Sequence, residues 1–78
     1  MGFNDAIRQI MDEKGVRVAD LARALDMRVP AVCNRLAREN PSITVAEQTA
    51  RAVGYRLVLI PVDDDYMPPD AVPVVPYV

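Results

Sequence analysis

Guanidinium groups and one carboxamide are the side chains best able to do chemistry here. Arg17, Arg23, Arg28, Arg35 and Arg38 fall in one stretch of the chain, with Asn34 among them. A carboxamide can pair bidentately with adenine in the major groove of DNA, and a guanidinium with guanine. Further arginines meet phosphates, which position a protein without reading sequence. Asn34 and Arg38 are four residues apart, so on a helix they share a face. Any one of these arginines reads equally well as a solvated surface charge. The set, gathered on one motif, points to nucleic acid.

Other chemistries lack their residues. There is no histidine, the commonest general base and metal ligand. Cys33 is the sole cysteine, has no imidazole to activate it, and reads as a small packed side chain. No glycine-rich phosphate loop is present. Asp63, Asp64 and Asp65 are adjacent and do not converge as a shaped metal loop does, so they read as a solvated linker. The expectation is a non-enzymatic protein without cofactor or metal. One cysteine allows no intrachain disulfide and suits a reducing compartment. The sequence has neither a basic start followed by an apolar run nor a run long enough to cross a bilayer. A cytoplasmic location without membrane partners is therefore expected.

The formal net charge of −2 conceals a division. All nine basic residues lie between Arg8 and Arg56, so residues 1–62 carry +2 and residues 63–78 carry −4. From Lys14 to Arg38 six basic side chains face only Asp20 and Asp26. A basic middle with an acidic tail is compatible with a groove-sized contact to DNA.

The elements that would position these groups are short helices. Phe3, Ile7, Ile10 and Met11 recur at helical spacing, predicting a helix over 4–14 with Asn4 as N-cap and Gly15 as its stop. Val18, Leu21, Ala22 and Leu25 predict a second over 19–25. Pro30 suits the first turn of a third helix over 30–38, with Val32 and Leu36 inward. That register turns Pro30, Asn34, Ala37 and Arg38 outward with Ala31 at the edge, and sets Arg28 and Val29 at the helix start. Ala31 and Ala37 allow close approach to a thymine methyl. Arg17, Arg23 and Arg35 are expected on phosphates. Thr44 and Glu47 have capping-box spacing, predicting a fourth helix over 45–53 ended by Gly54.

Residues 18–37 resemble the helix-turn-helix of Cro- and lambda-repressor-like (XRE-type) regulators. Leu21-Ala22 matches the pair packing the second helix, Met27 the apolar turn residue, and Val32 the branched residue seating the recognition helix. Two positions depart from that pattern. Asp26 stands where the family usually has glycine, a place aspartate tolerates better than most residues. Val29-Pro30 replaces the familiar polar start of the recognition helix. The helices followed by Tyr55-Arg56-Leu57-Val58-Leu59-Ile60 are similar to antitoxins of toxin–antitoxin pairs. The resemblance implies a mainly α fold of four to five helices with one C-terminal strand. It also implies a dimeric DNA-binding regulator.

A lone apolar strand cannot satisfy its own backbone. Tyr55, Leu57, Val58, Leu59 and Ile60 are therefore expected to pair across a homodimer. Residues 1–62 are expected to form the domain. Residues 63–78, acidic and proline-rich, are expected as an extended tail, with Val72, Val74, Val75 and Tyr77 as candidate anchors for a partner. A second function class stays open on the same fold. It is a protein-binding inhibitor, such as a phage-encoded anti-CRISPR-type protein, whose partner would be a nuclease; for an antitoxin the partner would be a toxin.

Overall fold

Four helices form where the apolar spacing places them: α1 (Phe3–Lys14), α2 (Val18–Leu25), α3 (Val29–Ala37) and α4 (Ile43–Ala52). The structure is a computed structural model and describes residues 2–61, 63 and 67–74. The protein is mainly helical, and no strand occurs among the described residues. Val62, Asp64, Asp65, Val75 and Tyr77, which figure in the expectations above, lie outside the described residues.

Each helix contributes one apolar face to a common core. Ile7, Ile10 and Met11 of α1 meet Leu21 and Ala22 of α2, Val32 and Leu36 of α3, and Val53 beyond α4. Val32 is completely enclosed, which fixes the rotation of α3 about its axis. Thr49 is buried too, its hydroxyl donating back to the Val45 carbonyl at 2.8 Å.

Three of the helices stop by the same device. After α1 the N–H groups of Gly15 and Val16 turn back to the carbonyls of Asp12 and Met11. Asp26 and Met27 do the same to Arg23 and Ala22 after α2, and Gly54 and Tyr55 to Arg51 and Ala50 after α4. This paired pattern needs a left-handed residue. Gly15, Asp26 and Gly54 supply it, with φ of 69°, 55° and 84°. The residue that follows packs inward each time, as Val16, Met27 and Tyr55 all do.

All four helices start one or two residues earlier than expected, and the N-caps of α1 and α4 are not the expected ones. Gly2, not Asn4, is the N-cap of α1, and its N–H donates to Asp5 Oδ2 at 3.0 Å. Asn4 lies inside the helix and is buried. In α4 the cap is Ser42, whose Oγ accepts from the Val45 N–H at 3.2 Å. Thr44 therefore sits in the first turn, and Glu47 pairs with Arg51 Nε at 3.2 Å instead of reaching back. Either hydroxyl could cap, since the buried face of Ala46, Thr49 and Ala50 is the same in both cases. The earlier start gains the bond from Ala46 N–H to the Ser42 carbonyl, 2.8 Å.

After Tyr55 the chain leaves the core. Residues 56–61 are exposed and lack regular structure, with Leu59 fully accessible to solvent. Further on, Ala71 N–H closes a turn onto the Pro68 carbonyl at 3.0 Å, and Val72 packs half-buried against the core cluster. Part of the proline-rich segment is thus packed structure.

Candidate nucleic-acid interface

The α2–turn–α3 unit is held from three directions. Leu21 and Ala22 anchor α2, Val32 and Leu36 anchor α3, and the left-handed Asp26 joins them with Met27 folded inward. The third support is Asn4. Its Nδ2 donates to the Arg35 carbonyl at 3.3 Å and also to the Arg38 carbonyl. The last carbonyls of a helix have no partner within it. Asn4 supplies one from α1, so the C-terminal end of α3 is tied to the core by a polar clamp.

With its inner face fixed, α3 presents the rest. Pro30, Ala31, Asn34 and Ala37 are exposed, as the register requires, and Val29 is 43% exposed in the first turn. Arg28 is exposed at the N-cap. Arg38 is exposed but lies at the C-cap with extended backbone (φ −77°, ψ 134°), so α3 ends one residue before the expected end. Arg38 therefore projects from beyond the helix rather than from its last turn, and the helical register does not set its direction.

The other arginines divide. Arg17 is exposed at the N-cap of α2, its own N–H held by Asp20 Oδ2 at 3.0 Å. Arg23 contacts Asp20 at 3.8 Å with both side chains exposed, a pairing of little strength that leaves its charge available. Arg35 is half-buried and turned toward α2 and α4, not toward the face of Asn34.

Two residues outside the expected site contribute to its support. Asn4 is one. Lys14 is the other: its Nζ donates to the Val53 carbonyl at 2.9 Å and lies 5.0 Å from the centroid of the Tyr55 ring. It joins the end of α1 to the end of α4, and so fixes where the exposed segment after Tyr55 emerges.

Among the described residues no group of three His, Cys, Asp or Glu side chains could hold a metal ion. None of their helices is long and apolar enough to cross a membrane. Compared with known proteins, the chain matches no family model, no curated protein and no solved structure.

Proposed function

We propose that this protein is a dimeric, sequence-specific DNA-binding regulator of the helix-turn-helix type, acting in the cytoplasm as a repressor or antitoxin. The reading rests above all on the exposed row of α3. Ala31, Asn34 and Ala37 stand on a helix whose opposite side is locked by Val32, Leu36 and Asn4. A rigid helix with small residues flanking one carboxamide suits close approach to base edges. Asn34 reads adenine, Arg38 guanine, and Arg28 supports the helix start. Arg17 and Arg23 neutralise phosphates on either side, Arg17 adding its charge at the N-terminus of α2.

Dimerisation rests on the segment after α4. Leu57, Val58, Leu59 and Ile60 are 41%, 63%, 100% and 37% exposed, an apolar run that a second copy would cover by antiparallel pairing. Two copies give the two half-sites such regulators use.

The test is binding to a sequence selected from random DNA, followed as salt is raised. Asn34→Ala should cost roughly 1–3 kcal/mol and relax preference at one position. Arg17→Ala should weaken all sequences alike and reduce the salt slope by about 0.9 per phosphate lost. Unchanged affinity and preference in Asn34→Ala would overturn the placement of the reading face. Leu59→Asp should give a monomer in sedimentation where the parent chain is a dimer; a parent chain monomeric at micromolar concentration would overturn the pairing.

A further inference from the structure

Arg35 stands apart from the arginines around it. Its Nη1 is closed to solvent and has no hydrogen-bond partner among the described residues. Leaving a buried cationic donor unpaired is costly. The same side chain lines an open cleft of about 610 Å³ where α2, α3 and α4 meet. Leu25, Met27 and Ala52 form its apolar part, and Gln48 and Arg51 its polar rim. Two guanidinium groups and a carboxamide border the cleft, and no carboxylate among the described residues lines it. Glu47 engages only Arg51 Nε, at 3.2 Å on the exposed side. The cleft therefore combines unmet positive charge with an apolar wall.

We propose that this cleft binds a small carboxylic acid with a short aliphatic body. The carboxylate pairs with the guanidinium of Arg35 in the bidentate geometry that group favours. Gln48 donates a further hydrogen bond and Arg51 adds charge. The aliphatic part lies on Leu25, Met27 and Ala52. Gln48 and Arg51 are exposed and unbranched, so they adjust around a ligand seated against Arg35 in the cleft. A free phosphate shares the anionic chemistry but has nothing to place against the apolar wall. The inference does not depend on DNA binding, because Arg35 faces α2 and α4 while Asn34 faces solvent.

The full chain is titrated with butyrate and, separately, with inorganic phosphate, following the arginine Nε–Hε and backbone amide resonances by NMR. Butyrate should give saturable shifts at Arg35, Arg51 and Gln48. Arg35→Met, which keeps the aliphatic stem, should weaken butyrate binding by about tenfold or more, the loss of one charge-assisted hydrogen bond or more. Should that variant fail to fold, Ala24→Phe serves instead. Ala24 is an exposed helix position at the cleft edge, so the new ring should abolish the shifts with Arg35 still present. Shifts at Arg35 no larger than those at Arg8 and Arg56, or saturation by phosphate but not butyrate, would overturn the proposal.

Discussion

Replacing Asn4 tests how α3 is held. Asn4 is 8% exposed, and its amide donates to two carbonyls at the end of α3. The Arg35 carbonyl has a second donor, the Arg38 N–H at 3.4 Å. The Arg38 carbonyl has none besides Asn4 among the bonds of the described residues. Asn4→Ala therefore removes two hydrogen bonds and strands one acceptor. At about 1 kcal/mol for each ordinary bond, the expected loss is about 2 kcal/mol. For a chain of this size that is a fall in melting temperature of roughly 8–16 °C. Asn4→Asp keeps the shape but offers the carbonyls no donor when ionised, so it should cost more than alanine at neutral pH. The protonated acid can donate, so folding raises the pKa of the new carboxyl. The stability thus recovered is present below its unfolded value of about 4 and is lost as pH rises through the folded value. Thermal and urea unfolding followed by circular dichroism at pH 3 and pH 7 reads both effects. An Asn4→Ala variant within about 0.5 kcal/mol of the parent chain would refute the clamp.

Three further outcomes follow from the same geometry, each read by urea unfolding. Gly54→Ala should cost about 1–2 kcal/mol and exceed the cost of Gly15→Ala: both have positive φ, but a Cβ at Gly54 would also meet Lys14 Nζ at 2.9 Å while none is crowded at Gly15. Equal costs at the two positions would show that the Lys14 contact does not persist in solution. Asp26→Gly should stabilise the chain by a few tenths of a kcal/mol, since glycine adopts the left-handed turn without strain, and a loss would mean that the Asp26 side chain itself contributes. Val72→Asp should cost about 1–2 kcal/mol because Val72 packs against the core, and unchanged stability would refute that packing.

What could be read in advance was local. A helix announces itself by apolar residues three and four apart, and the ends of α1, α2 and α4 are marked by a glycine or aspartate. These signals placed all four helices to within two residues at either end, and the outward turn of Asn34 followed from the inward turn of Val32 and Leu36. The cap of α4 was ambiguous because Ser42 and Thr44 both precede the same buried face. The polar contacts that join elements carry no such pattern. Asn4 bonds to residues 31 and 34 positions away, and Lys14 to one 39 positions away. In sequence, Asn4 at a helix start is indistinguishable from an ordinary N-cap.

Arg35 differs from both cases, because its position did carry a signal. It follows Val32 by three residues and adjoins Leu36, which sets it at the margin of the buried stripe rather than opposite it. Charge alone groups it with Arg17 and Arg23, but the spacing separates it from them. An arginine is long enough to reach water from most helix positions, so charge by itself does not distinguish a solvated guanidinium from an enclosed one. In Arg35 one terminal nitrogen is shut in with no hydrogen-bond partner among the described residues. The face proposed to meet DNA and the cleft proposed to hold a carboxylate thus lie on two sides of α3, divided by the rotation that Val32 imposes.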